Sequence, residues 1–160
     1  MEKLDIFDTD TGCYNEEYFI HRLKQEKRRA ERTDAPLAMV IFDFSAYVKM
    51  FNGGSKISKV GEYITNNTRE IDIKAHIHGN RIVILMPQTS FTEASIVGEK
   101  IKNCVESLLH EQHSQHQIIL SYRIETYPAL KTSVAHGNQT CEHTHHTDDR
   151  QLSQTVFEKS

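Results

Sequence analysis

The stretch Arg69-Glu70-Ile71-Asp72-Ile73-Lys74-Ala75-His76-Ile77-His78-Gly79-Asn80-Arg81-Ile82-Val83-Ile84-Leu85-Met86-Pro87 decides the fold. Its apolar-rich segments, Ile71 to Ile77 and Ile82 to Met86, meet at the turn His78-Gly79-Asn80-Arg81, where Gly and Asn supply the backbone freedom of a β-hairpin. The turn is therefore expected at the end of a sheet. It contains no carboxylate, while an arginine and an aspartate, Arg69 and Asp72, stand three positions apart just ahead of the first strand.

The remaining elements follow outward from this hairpin. Asn15 can cap a helix from about Glu16 to Arg32, with Tyr18, Phe19, Leu23 and Ala30 on one face and Lys24, Glu26, Lys27 and Arg28 expected in water. Leu37 to Phe42 is a short apolar run bounded by turn residues, the pattern of a buried central strand ending at Asp43. A short helical stretch, Ala46 to Phe51, leads to Gly53-Gly54, and a helix from about Ser55 to Thr68 brings Arg69 to the sheet. Beyond the hairpin, Ser90 or Thr92 opens a helix reaching about Leu109, with Ala94, Val97, Ile101, Val105 and Leu108 at core spacing. Ile118 to Tyr127 reads as a further strand, closed by Pro128.

A chain of 160 residues, 38% hydrophobic with formal net charge −3, is sized for one soluble domain with its own core. That domain is assigned to residues 1–128, followed by a polar, His-rich segment at 129–150 that is expected to be mobile. Residues 151–160 hold a possible remnant of a final helix at Leu152, Val156 and Phe157. The charge gives no reason to expect binding to long nucleic acid or an anionic membrane, so any anionic ligand must meet a local group of cations. Cys13, Cys104 and Cys141 form no C-x-x-C pair, and no apolar run approaches the roughly 18 residues of a membrane span. A reducing, cytoplasmic location without membrane insertion is the expectation.

Four signals in order resemble the GGDEF family, the diguanylate cyclase domains that make cyclic di-GMP in bacteria. Asp8-Thr9-Asp10-Thr11-Gly12-Cys13-Tyr14-Asn15 is similar to the family's D-x-L-T-G-L-x-N turn. Pro36 to Asp43 resembles its first buried strand, Arg69-x-x-Asp72 its inhibitory site, and Ala75 to Ile82 its signature hairpin. The resemblance covers roughly Asp8 to Pro128. It implies an α+β fold with a central, mostly antiparallel five-stranded sheet surrounded by helices.

The same resemblance implies a degenerate active site. Joining two GTP molecules needs divalent ions held by carboxylates, which the family draws from the strand aspartate and the acidic position of the signature turn. Here Asp43 remains, but the other position is Arg81, a fixed positive charge where Mg²⁺ would sit. His78 replaces the first signature glycine, Asn80 follows, and only Gly79 is kept. The base-reading positions align with Phe51 and Val60, and a lysine position falls near Val48 beside Lys49. No catalytic residue, metal or cofactor is therefore expected, and cyclase activity is expected to be lost. Asp43 then reads as a satisfied or solvated strand-end aspartate, or as part of a pocket that holds GTP without turnover.

The inhibitory-site pair suits a guanine ligand. Arginine offers a planar fork matching guanine O6 and N7, and a carboxylate accepts from the N1–H and N2–H edge. The competing reading is an ordinary surface ion pair at helical spacing. The resemblance adds a basic contact at Lys100 from the following helix, and Arg29 could assist from the first helix. It implies a cyclic di-GMP receptor that signals through an unidentified effector protein or ligand-linked dimerisation, since neither a sensory nor an output segment flanks the domain in this sequence. Biofilm control is the usual sphere of such receptors. The alternative is a ligand-independent protein–protein interaction module that kept the fold for its surface.

Two histidine sets remain, His110, His113 and His116, and Cys141 with His143, His145 and His146. Neither has a recognised zinc spacing, and solvated loops compete with transition-metal binding as their reading. His76 and His78 flank the hairpin turn without an assignable role.

Overall fold

The computed structural model describes residues 5–51 and 57–128. Its centre is β1 (Leu37–Asp43), buried along almost its whole length because helices cover both faces of the sheet. This is why the sequence there is a continuous apolar run rather than an alternating one. β1 pairs antiparallel with β3 (Arg81–Pro87) on one side and β4 (Ser121–Tyr127) on the other, and β2 (Ile73–Ile77) joins the free side of β3. The order β2-β3-β1-β4 makes four strands among the described residues, against the five expected from the resemblance.

Successive residues of β1 serve two separate cores. Ala38, Val40 and Phe42, with Ile82, Ile84 and Met86 of β3, pack beneath three helices: α2 (Ser45–Phe51), α3 (Ile57–Asn66) and α4 (Phe91–Gln112). Leu37, Met39 and Ile41, with Val83, Leu85 and the inward residues of β2, pack beneath α1 (Glu16–Thr33) through Phe19, Leu23 and Ala30. Asn15 caps α1 by accepting from the Tyr18 N–H, as its residue type predicts. Ser90 and Glu93 form a reciprocal capping box at the start of α4.

Several expectations are corrected. Glu26 and Lys27 are buried rather than wet, because the Glu26 carboxylate sits 3.5 Å from both Arg22 and Arg29 and the Lys27 amine lies 4.8 Å from the centre of the Tyr127 ring. The hairpin loop is the three residues His78-Gly79-Asn80, since Ile77 pairs with Arg81 across the ladder. α4 runs to Gln112 and buries Leu109 fully, with Leu108 half-buried against the same core, and β4 begins at Ser121 rather than Ile118. Among the described residues α3 spans Ile57–Asn66, ending ahead of the expected Thr68, so Arg69 lies in the turn after the helix. Gly53-Gly54, the His-rich segment and the expected C-terminal helix remnant lie outside the described residues.

Candidate functional site

The turn between α3 and β2 fixes Arg69 and Asp72 against each other. Asp72 Oδ2 accepts from the Arg69 backbone N–H at 3.0 Å, and the Asp72 backbone N–H donates to the Arg69 carbonyl at 3.1 Å. The guanidinium then folds onto the same carboxylate, with Nε 3.1 Å from Oδ1 and 3.2 Å from Oδ2 and Nη2 2.7 Å from Oδ1. Asp72 is 3% exposed, so its charge needs these donors. The Asp72 bond is the largest influence on Arg69 and holds the guanidinium above its ordinary pKa.

A second brace comes from the end of β3. Arg69 Nη2 also donates to the Thr89 hydroxyl at 2.7 Å and to the Pro87 carbonyl at 3.3 Å, while the Thr89 hydroxyl donates to Pro87 at 2.9 Å. Thr89 is 2% exposed and was not singled out by the sequence; its only signal is a hydroxyl just before the helix-capping Ser90. The Arg69 side chain stays 48% exposed, and Nη1 has no hydrogen-bond partner among the described residues. Both Asp72 oxygens face Arg69 rather than lying open beside it. The pair thus presents one oriented guanidinium edge, with the carboxylate behind it.

Of the two auxiliary cations, Arg29 borders a shallow depression with Pro87 and Gln88, the same strand end that accepts from Arg69. Its guanidinium also meets buried Glu26 at 3.5 Å. Lys100 is exposed on α4, seven positions beyond Glu93, the acid whose charge acts on Arg69. That spacing places it on the Glu93 side of the helix, about 10 Å further along the axis.

At the signature turn, Gly79 and Asn80 adopt φ of +76° and +56°. Arg81 stands directly opposite Asp43 in the β1–β3 register, and its Nε lies 3.7 Å from Asp43 Oδ2. The guanidinium also folds back over the turn: a Cβ placed on Gly79 would meet Arg81 Nη1 at 3.4 Å. The other Asp43 oxygen accepts from the Ser45 N–H at 2.8 Å, and the Ser45 hydroxyl donates to the Gly79 carbonyl at 2.8 Å. Asp43 is therefore the satisfied strand-end aspartate of the two alternatives, ion-paired and hydrogen-bonded. His78 is held by Glu16, whose carboxylate meets His78 Nδ1 at 2.6 Å and accepts from its backbone N–H at 3.1 Å.

Phe51 and Val60 are occupied by the protein itself. Val60 is fully buried in the core, and the Phe51 ring stacks on His113 at 3.7 Å with His116 against its edge. Val48 packs against the same core, while Lys49 is exposed. The 110/113/116 histidines do not converge: His110 Nδ1 meets the His116 carbonyl at 3.2 Å, and His113 faces Phe51 and the Tyr47 hydroxyl. His113 thus packs on Phe51, while His110 and His116 are exposed.

The opening turn is tied to the free edge of β2. Tyr14 N–H donates to the Lys74 carbonyl, and His76 N–H donates to the Tyr14 carbonyl, both at 2.9 Å. Asp8 Oδ2 accepts from the Thr11 backbone and hydroxyl, each at 2.8 Å, and meets His76 Nδ1 at 3.0 Å. Burial pushes the Asp8 carboxyl up, but the bonds from Thr11 and His76 outweigh it and hold the group below its ordinary value.

Comparison with known proteins agrees with this fold. A sequence profile of the family described as "Diguanylate cyclase, GGDEF domain" matches residues 5–149. The response regulator PleD of Caulobacter vibrioides is 24% identical over 106 residues, covering 62% of this chain and 23% of PleD, so the chain spans about a quarter of that relative's length. Among solved structures, the GGDEF domain of DgcB from Caulobacter crescentus, in complex with c-di-GMP, superposes with a TM-score of 0.67 at 17% identity, covering 79% of this chain and 80% of that domain's chain. The FimX GGDEF domain from Pseudomonas aeruginosa gives 0.63 at 14% identity, over 82% and 85% of the two chains. The diguanylate cyclase SiaD of the same organism, in complex with its activator SiaC, gives 0.62 at 21% identity, over 76% and 49%.

Proposed function

The chain belongs to the GGDEF domain family, and from that premise we propose that it is a catalytically inactive member that binds cyclic di-GMP through Arg69 and acts on a partner protein or a second copy of itself. The observation that carries this reading is the contrast between its two arginines. Arg69 is braced by Asp72, Thr89 and Pro87 with half its side chain in solvent, while Arg81 lies on Asp43 and over the turn backbone. The oriented guanidinium offers its open Nη1 to a guanine acceptor, O6 or N7, and its planar face to a stacked base. A guanidinium against the strand aspartate opposes a divalent ion there by charge and by volume.

Within this proposal Asp72 fixes the fork and can trade part of its bonding to Arg69 for the guanine N1–H. Lys100 and Arg29 supply further positive charge toward phosphate or base. The packed positions of Phe51 and Val60 support the loss of GTP chemistry, because neither offers a directed hydrogen bond to a base. No cofactor is required, and the activity would be exercised in the cytoplasm, within second-messenger control of processes such as biofilm formation.

Calorimetric titration with cyclic di-GMP, GTP and GDP side by side tests the reading. Saturable heat with cyclic di-GMP is expected, weakened at least tenfold by Arg69→Lys, which keeps the charge and removes the fork. No cyclic di-GMP should form from GTP with Mg²⁺ or Mn²⁺. Absence of binding by the folded protein would leave the ligand-independent interaction module as the better account, and product formation would overturn the inactive assignment.

A further inference from the structure

We propose that Asp8, Asp10 and His76 form a binding site for one divalent transition ion of the zinc class, clamping the opening turn to the outer strand of the hairpin. One oxygen from each aspartate and one ring nitrogen of His76 lie within 4.8 Å of one another. Imidazole nitrogen and carboxylate oxygen are the donors that zinc and its first-row neighbours accept in mixed sites. Asp43 is a separate matter, because β3 lies between its strand and β2.

The spacing is close to what an ion needs. Two donors about 2.0–2.1 Å from a tetrahedral ion stand about 3.3 Å apart, and His76 Nδ1 and Asp8 Oδ2 are already 3.0 Å apart. An ion would replace the proton these atoms now share. Asp10 is exposed, so its carboxylate can close the remaining distance without disturbing the core.

Two of the three donors are held before any ion arrives. Asp8 is fixed by the Thr11 N–H and hydroxyl and by its own N–H to the Cys13 carbonyl, and the Gly12 N–H returns to the Asp8 carbonyl. His76 is fixed by its strand and by the bond from its N–H to the Tyr14 carbonyl. A second imidazole–carboxylate pair, His78 with Glu16, borders the same open depression as Asp8 and His76. The depression is thus lined by imidazoles and carboxylates. Such a site would tie the segment preceding α1 to the strand that carries the signature turn.

The test uses the full chain carrying Cys141→Ser, His143→Ala, His145→Ala and His146→Ala, so that the tail donors do not compete, and Zn²⁺ itself as the probe. One equivalent of Zn²⁺ is expected by competition against a chromophoric chelator, with a matching rise in Tm. Asp10→Asn and His76→Gln should each weaken binding more than about tenfold, since loss of an outer-shell partner alone reaches that size. Asp10→Asn is the decisive variant, because an exposed side chain can be changed without unfolding the protein. No Zn²⁺ bound at micromolar concentration, or an equivalent that survives both substitutions, overturns the proposal.

Discussion

At the level of single residues, the central point is that Arg69 and Asp72 are not equivalent. Asp72 is the buried half of the pair and Arg69 the half-exposed one. Replacing Asp72 with Ala leaves the guanidinium without its main brace and opens a buried polar site, so a loss of about 2 kcal/mol in urea unfolding is expected. Ligand affinity should fall with it. Arg69→Lys should destabilise less, because an ammonium can still reach the Asp72 carboxylate, yet lose most of the cyclic di-GMP heat. Equal effects of the two substitutions on stability and binding would contradict this division of labour. Arg81→Glu is a second residue-scale test. It restores a carboxylate beside Asp43 but leaves Phe51 stacked on His113 and Val60 in the core, so an assay with GTP and Mn²⁺ is expected to yield no product.

Among the elements, α3 and α4 position the site. Gly61 of α3 packs against the opening turn so closely that a Cβ there would sit 2.2 Å from the Thr11 carbonyl oxygen. The obstacle is backbone and cannot swing aside, so Gly61→Ala should force the helix and turn apart at about 2–3 kcal/mol, read as a lowered Tm. A neutral result would mean that the turn docks less tightly than its hydrogen bonds imply. At the start of α4, the Glu93 carboxylate accepts from the Ser90 N–H and hydroxyl, which holds its pKa below the ordinary value. A depressed acid adds stability above its unfolded pKa, near 4.5, and loses it as the pH falls through the folded value. Glu93→Gln should therefore flatten part of the stability loss below that pH in acid titrations followed by circular dichroism. Ser90→Ala, which removes the other half of the box, should cost about 1 kcal/mol at neutral pH.

For the molecule as a whole, the proposed receptor has one oriented arginine with basic residues on two other elements, an arrangement that one half of a dinucleotide can meet while the other half faces outward. Sedimentation with and without cyclic di-GMP is expected to show a ligand-dependent dimer, lost in Arg69→Lys. A chain that stays monomeric while saturated with ligand would remove dimerisation from the mechanism and leave a partner protein as the route of output.

The sequence by itself determined the strands, helices and their order, because apolar period, caps and turn residues are local and each element carries them whole: Asn15 before α1, Ser90 with Glu93 before α4, Gly79 and Asn80 in the hairpin. It also determined that His78-Gly79-Asn80-Arg81 carries no carboxylate. Only the tertiary structure decided what those charges face. Asp72 behind Arg69, Thr89 beneath it, Arg81 over Gly79, Glu16 on His78 and Asp8 on His76 are contacts between segments far apart in the chain or set by one particular turn. Spacing records which groups are present, but the partner of a charged group depends on where the chain returns in space, and that is fixed by packing across the sheet.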